Sequence, residues 1–384
     1  MRTCTDPSQA LRGATRALRV QFFVAGALFA TLGVHVPSLK THYALGEQAI
    51  AIALLASGAG SVGALLQAGR VLARHAPGRV VPLVAVLCAC AIGNLLTPAA
   101  YGVLLVLMLA YGAAAALFDV AINDEATSIE RLAGRPLMSG FHGMFSLGGM
   151  VGAGAWSALA ATGVEPAAHL AGSAIVLVAL SLLASRAMLR EARDAGAERV
   201  PLSLPRGPLL LLGLMAGMGL VAEGAMYDWS VLYLRQELGT RTDVASLGYA
   251  CFSGAMAAGR FGGDWVRARV APVPLLRASG LLGAAGMAMA LAIPHPAAAL
   301  AGFALVGLGF ANIVPVLFSA AGQLPGIAAA HGIAAVSSVG YTGLMAGPPV
   351  IGFIAEAHSL TVGMGVVIVF AAVVAACARR AFAR

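Results

Sequence analysis

Apolar stretches of roughly twenty residues recur from one end of this 384-residue chain to the other, and almost nothing charged interrupts them. A bilayer core ~30 Å thick takes about 20 apolar residues per helix, so these stretches set the class before any motif is read. Only 10% of the residues are charged and 60% are hydrophobic, against about a quarter charged in soluble domains. The stretches are continuous rather than alternating, which disfavours a spanning β-barrel. Helical spans are expected near 18–38, 48–68, 80–97, 101–123, 138–161 and 167–188, then near 208–233, 244–262, 273–293, 297–320, 328–354 and 360–378. The first is too long for a secretion signal and lacks a clear small-residue cleavage site. The expected fold is an all-α membrane protein of twelve transmembrane helices.

The few charges set the expected topology. With the N-terminus in the cytoplasm and sides alternating at each span, Arg2, Arg12, Arg16, Arg19, Arg70, Arg74, Arg79, Arg131 and Arg135 fall inside. So do Arg186, Arg190, Arg193, Arg199, Arg206, Arg260, Arg267, Arg269, Arg277, Arg379, Arg380 and Arg384. Only Lys40, Arg235 and Arg241 fall outside, a 21-to-3 split of the kind the positive-inside rule demands. Both chain ends are then cytoplasmic. The net charge of +8 is topological and calls for no nucleic-acid partner. Cys4, Cys88, Cys90, Cys251 and Cys377 form no metal spacing, and the last four sit in apolar segments where buried free thiols are expected.

The halves echo each other at an offset of 189–191 residues. Gly69-Arg70 matches Gly259-Arg260, His142-Gly143 matches His331-Gly332, Asn123 matches Asn312, and Gly26 and Gly33 match Gly217 and Gly224. Six helices per half is an even number, so the repeats share one topology. This divides the chain into two pseudo-symmetric six-helix bundles, residues 1–188 and 208–384. Between them lies a polar cytoplasmic linker, 189–207, containing Arg190, Glu191, Arg193, Asp194, Glu198, Arg199, Pro201 and Pro205. Glycines gather on equivalent segments: Gly148, Gly149, Gly152 and Gly154 in the fifth, and Gly340, Gly343, Gly347 and Gly352 in the eleventh. Small residues so spaced let helix backbones approach closely.

Several motifs are shared with a known family. Gly134-Arg135-Pro136 leads into Ser139-Gly140-Phe141-His142-Gly143-Met144-Phe145-Ser146; Glu223-Gly224 precedes Asp228-Trp229-Ser230-Val231-Leu232-Tyr233-Leu234-Arg235. Gly307-Leu308-Gly309-Phe310-Ala311-Asn312-Ile313-Val314-Pro315 and Gly347-Pro348-Pro349 follow. Over nearly its whole length the chain resembles the major facilitator superfamily, in the MosC-like branch of small bacterial inner-membrane permeases. The resemblance implies a central cavity lined by helices 1, 4, 7 and 10 and worked by alternating access, with amino-sugar or inositol-like solutes. Two positions depart from the pattern. Ala73 stands where the superfamily has an acidic residue in Gly69-Arg70-Val71-Leu72-Ala73-Arg74, so a cytoplasmic gate must use other partners. His35-Val36-Pro37 stands where branch relatives usually carry Arg before Ile-Pro, which replaces a fixed charge by a titrating one.

An ionisable group inside a membrane helix costs at least about 2.5–3.5 kcal/mol, so each needs a reason. Glu223 lies about fifteen residues into the seventh segment, roughly 23 Å along its axis, and Tyr227 and Ser230 continue its face. It is the first candidate for proton coupling or solute binding, with a structural interhelical hydrogen bond as the alternative. Gln21, Thr31 and His35 share one direction on the first helix. His35 and Glu223 are therefore expected to face one cavity, where a histidine would make the site pH-sensitive. Asp119 and Asn123, with Asn312 as counterpart, suit a hydroxylated or amino-bearing solute or a gate. Asp124 and Glu125 are expected to be solvated beside Arg131 or Arg135. His142 with Ser146, and His331 with Ser338 and Tyr341, are read as a cytoplasmic gate or interdomain contacts. Asp228 and Arg235 are read as a local pair or outer gate, Trp229 and Tyr233 as interfacial aromatics, and Arg70, Arg260 and Asp264 as cytoplasmic gating charges.

Enzyme signatures are absent: there is no Walker glycine loop with lysine, no nucleophile elbow and no paired histidines at metal-ligand spacing. No cofactor or metal is expected. The leading expectation is a monomeric secondary active transporter in the bacterial cytoplasmic membrane, moving a small polar organic solute of sugar, inositol or amine type with protons as the coupling ion. The alternatives are an exporter of amphipathic drugs or metabolites and, in another class, a non-transporting membrane sensor.

Overall fold

Prolines and glycines punctuate the chain where the helices begin and end. In the computed structural model, which describes residues 7–97, 99–135, 137–189, 206–324, 327 and 329–382, the first half comprises α1 (Pro7–Val34), α2 (Val36–His42), α3 (Glu47–Arg74), α4 (Pro77–Gly93), α5 (Tyr101–Ala133), α6 (Met138–Ala161) and α7 (Pro166–Ser185). The second comprises α8 (Pro208–Gln236), α9 (Thr242–Phe261), α10 (Gly263–Arg267), α11 (Pro272–Ala292), α12 (Pro296–Phe310), α13 (Ile313–Gly322), α14 (Ala329–Ala357) and α15 (Leu360–Ala381). Pro77, Pro166, Pro208, Pro272 and Pro296 each open a helix, at the position where the missing N–H has no partner to lose. Gly134 ends α5 in the left-handed conformation at φ 63°. The polar linker, residues 190–205, lies outside the described residues.

Among the described residues, ten helices are long and apolar enough to cross a bilayer, α12 and α13 together counting as one. Pro77–Gly93 is apolar but has 17 residues, and α9 supplies a further helix of 20. Two expected spans are broken. The first divides at His35, ahead of Pro37, and the tenth at Ala311–Asn312, ahead of Pro315; in both, a proline cannot donate to the carbonyl four residues earlier. Other spans run past their expected ends, α3 to Arg74 and α5 to Ala133.

Contacts divide the chain into two units: Met1–Ala44 with Ala56–Ala197, and Leu45–Leu55 with Glu198–Arg384. Within the first, α1 packs on α5, α6 and α7, and α4 on α5 and α7. Within the second, α8 packs on α14 and α15, and α11 on α12 and α15. Four pairings (α1·α6, α1·α7, α4·α5 and α4·α7) therefore recur as α8·α14, α8·α15, α11·α12 and α11·α15, the structural form of the sequence repeat. Both first-to-fifth crossings depend on glycine. A Cβ on Gly26 would lie 1.9 Å from the Phe145 carbonyl oxygen, and one on Gly343 2.9 Å from Gly217 Cα.

The outer surfaces of these helices carry large apolar side chains: Leu66 is 67% exposed, Val106 66% and Ile175 70%. Hydrocarbon, not water, suits such a surface. Cys88 is buried as expected, whereas Cys90 is exposed on the same helix.

Candidate functional site

Helix α8 is buried almost throughout, and it carries the chain's most conspicuous acid inward. Glu223 Oε1 accepts a hydrogen bond from the Tyr227 hydroxyl at 3.0 Å, one helical turn on. The same oxygen lies 2.9 Å from a guanidinium nitrogen of Arg260, near the end of α9, with the two side chains 11% and 12% exposed. Charge-assisted bonds of this kind are about twice as strong as neutral ones. The pairing also offsets part of the cost of two charges in an apolar interior. The Tyr227 hydroxyl lies 3.7 Å from Met256 Sδ, and the Tyr227 ring packs 5.2 Å from both Tyr249 and Phe252. Arg260 was expected among the cytoplasmic charges. Its position at a helix end is compatible with that, but its long side chain turns back into the unit to meet Glu223 on α8.

In the other unit, His35, expected to face a cavity with Glu223, turns its ring to α7. Its side chain is 0% exposed. His35 Nε2 lies 2.8 Å from His169 Nδ1 on α7, His35 Nδ1 lies 3.2 Å from Ser38 Oγ, and His169 Nε2 lies 3.1 Å from Ser173 Oγ. Trp156 of α6 packs over both rings, at 4.4 and 4.7 Å. Thr31 donates to the Ala27 carbonyl of its own helix at 2.8 Å and is equally buried. Gln21, lower on the same stripe, meets Ser181 and Ser185 of α7. Gln21 and His35 are thus two polar anchors of a seam between α1 and α7, and the stripe serves packing within the unit.

The match to the family model described as Major Facilitator Superfamily spans residues 20–341. This chain belongs to that superfamily. The transporter is 36% identical over 362 residues to an uncharacterized MFS-type transporter of Yersinia pestis, covering 94% of each chain. To the membrane protein MosC of Rhizobium meliloti it is 32% identical, covering 99% of this chain and 92% of the relative. Solved structures share the fold at low identity. The nucleoside transporter NupG matches with TM-score 0.68 at 14% identity, over 98% of this chain and 99% of that one. The Escherichia coli fucose:proton symporter FucP matches with TM-score 0.63 at 16% identity, over 96% and 98%.

The other predicted site residues of the transporter take varied places. Asp119 and Asn123 do meet on α5, Asn123 Nδ2 lying 3.1 Å from Asp119 Oδ1 and 2.8 Å from the Asp119 carbonyl. Asn312 is buried at the break between α12 and α13, where a Cβ on Gly263 would come within 2.7 Å of its Oδ1. His142 packs edge-on against Phe22 at 5.4 Å, and Ser146 donates to the His142 carbonyl. The side chains of His331 and Tyr341 lie outside the described residues.

Among the described residues no ion pair joins Asp228 and Arg235. The Arg235 guanidinium instead donates to the Thr240 carbonyl beside the left-handed Gly239, an acceptor nearer than a carboxylate two helical turns away. Trp229 and Tyr233 are 0% and 1% exposed and so are packing residues rather than interfacial ones. Asp264 pairs locally with Arg267 in α10, and Arg70 donates to Gln67 at 2.8 Å on an exposed face.

Glu125, expected to be solvated, is 1% exposed and accepts the backbone N–H of Leu189 at 2.9 Å, so it fastens the end of the first bundle where the linker departs. His169 was missed altogether. Its signal was parity: the end of the first span and the start of the sixth fall on the same side, which brings two histidines to one level.

Proposed function

We propose that the protein is a secondary active transporter that moves a small polar organic solute across the bacterial cytoplasmic membrane by alternating access, coupled to protons at Glu223. The halves 1–188 and 208–384 are two six-helix bundles, the linker 189–207 and both chain ends are cytoplasmic, and the working unit is one chain. The observation that carries this reading is Glu223 itself, a carboxylate held in the interior of α8 by Tyr227 and Arg260 in a member of a transporter superfamily. Burying it costs stability, so its retention calls for use. The names of the fold relatives, a nucleoside transporter and a fucose:proton symporter, support a polar solute and a proton as coupling ion.

The test is uptake by protein reconstituted in liposomes under an imposed pH gradient, with labelled sugars, inositols and amino sugars as solutes. Gradient-driven accumulation is expected in the native protein and lost in Glu223→Gln, while solute exchange without a gradient persists. Undiminished accumulation in that variant would remove Glu223 from the mechanism.

A further inference from the structure

Asp228 is the acid on α8 that the fold leaves unmatched. Among the described residues it makes no hydrogen bond or ion pair, and no charged group acts on it. Arg235, two turns on, is held by the Thr240 carbonyl. Glu223 is matched twice, by the Tyr227 hydroxyl and the Arg260 guanidinium. The two acids lie about 140° apart around the helix at ~100° per residue, which leaves Asp228 outside that network. It is also open where its surroundings are closed. From Val221 to Leu234 every residue except Asp228 is buried. A stripe facing hydrocarbon would expose the positions three and four residues to either side, yet Gly224, Ala225, Val231 and Leu232 are all buried. Earlier on the same stripe, Gly217, Val221 and Gly224 pack against Gly343, Gly347 and Leu344 of α14. The opening is therefore a local recess at one carboxylate, within the membrane-spanning length of α8. Beside it, Trp229 Nε1 and Ser230 Oγ are buried with no hydrogen-bond partner among the described residues, so this turn holds more polar groups than the fold uses.

A carboxylate within a membrane helix is costly, and one without a partner keeps the whole of that cost. A proton would cancel the charge and leave an O–H group with no acceptor. A hydroxyl group would supply a donor and leave the charge. An organic cation supplies charge and donors together. We propose that Asp228 is a solute-binding residue and that its ligand is a positively charged nitrogen of the solute, an ammonium or guanidinium group donating to the carboxylate oxygens. No covalent bond changes. The second unit then holds two carboxylate–cation pairs of different origin, Glu223 with the chain's own Arg260 and Asp228 with the solute. This narrows the reading above to its amine-bearing solutes and rests on it, since the proton assigned there to Glu223 leaves Asp228 to the solute. The rival arrangement, a hydroxyl on a protonated Asp228, needs a second proton beside that of Glu223, and it is the outcome in which an alcohol binds as well as its amine.

The test is equilibrium binding to the full-length protein in detergent, read as thermal stabilisation. The probes are matched pairs of an amine and an alcohol on one skeleton: galactosamine and galactose, aminopropanol and propanediol, benzylamine and benzyl alcohol. Added sodium or potassium chloride tests for an inorganic cation in place of an organic one. The expected result is stabilisation by at least one amine, and by neither its alcohol nor the salts. Asp228→Asn orphans no partner, so it should melt at or above the native temperature. It should bind the amine at least ~30-fold more weakly, the loss of one charge-assisted pair. Asp228→Glu restores the charge and should recover part of that binding.

Four results would each overturn the proposal: no amine stabilising the protein, an alcohol or a salt stabilising it as much as an amine, amine binding undiminished in Asp228→Asn, or that variant melting well below the native protein. The last would show that the carboxylate has a partner within the chain. No gradient enters this measurement. Its failure is therefore distinct from failure of proton coupling at Glu223, which is read from accumulation in liposomes.

Discussion

His35 Nε2 and His169 Nδ1 lie 2.8 Å apart in the first unit, each ring passing its other nitrogen to a serine hydroxyl. One neutral imidazole must donate and the other accept, so Ser38, His35, His169 and Ser173 form a hydrogen-bonded row with only two consistent polarities. Both rings are buried, so each gives the other a hydrogen bond that water cannot readily replace.

The first prediction concerns this pair. Removing either ring orphans a buried nitrogen on the other, at a cost of about 1–3 kcal/mol. His35→Ala and His169→Ala should therefore each lower the melting temperature in detergent, and the double variant should lose clearly less than the sum. Additive losses would show that the two rings do not depend on one another.

The second prediction separates two repeat-related arginines. Arg70 and Arg260 close the same Gly-Arg motif in the two halves, yet Arg70 is exposed on Gln67 while Arg260 is buried on Glu223. Arg70→Gln should change stability by no more than about 0.5 kcal/mol. Arg260→Gln leaves a carboxylate unpaired and should cost about 3–5 kcal/mol, while E223Q/R260Q recovers much of the loss. Equal effects of the two single changes in chemical or thermal unfolding would refute the buried pair.

These two cases show what one-dimensional patterns carry. Helix positions, the repeat and the Glu223–Tyr227 face were legible because each depends on spacing within one segment. The stripe of Gln21, Thr31 and His35 was also real, since the three residues share a helix direction, but periodicity says nothing of what lies opposite. The stripe met α7 and its His169. Arg260 was illegible for a different reason: a charge at a helix end reads as a loop charge, and only the fold shows that its side chain reaches back 37 positions to Glu223. Glu125 was misread on the same ground, because its partner is a backbone N–H that no side-chain pattern announces.

The third prediction tests the shared crossing of first and fifth helices. A Cβ at Gly148 would sit 2.0 Å from the Phe23 carbonyl oxygen, a backbone atom that no rotamer change can move aside, while a Cβ at Gly13 on the same helix as Phe23 meets nothing within 4 Å. Gly148→Ala must push α6 away from α1 and should cost about 1–3 kcal/mol. Gly13→Ala, which also favours the helix, should be neutral or stabilising. Monodispersity and melting temperature on size-exclusion chromatography distinguish the two, and a well-behaved Gly148→Ala protein would argue against the close crossing.

The last prediction concerns how this acid-poor chain spends a carboxylate. Met138 opens α6 with Leu137 as its cap residue, and Leu137 has no side-chain oxygen to satisfy the first backbone donors. Glu130, a turn before the end of α5, supplies one: its Oε2 accepts from the N–H of Leu137 at 2.6 Å and of Met138 at 2.9 Å. A carboxylate there both satisfies two otherwise orphaned donors and complements the positive end of the helix dipole. Glu130→Ala removes both effects and should cost about 1–2 kcal/mol. Glu130→Gln keeps an acceptor oxygen and loses only the charge, so it should cost less. Hydrogen exchange at the start of α6 supplies the local readout: faster exchange of the Leu137 and Met138 amides in Glu130→Ala than in Glu130→Gln is expected, and equal protection in the two variants would show that the cap is made by some other group.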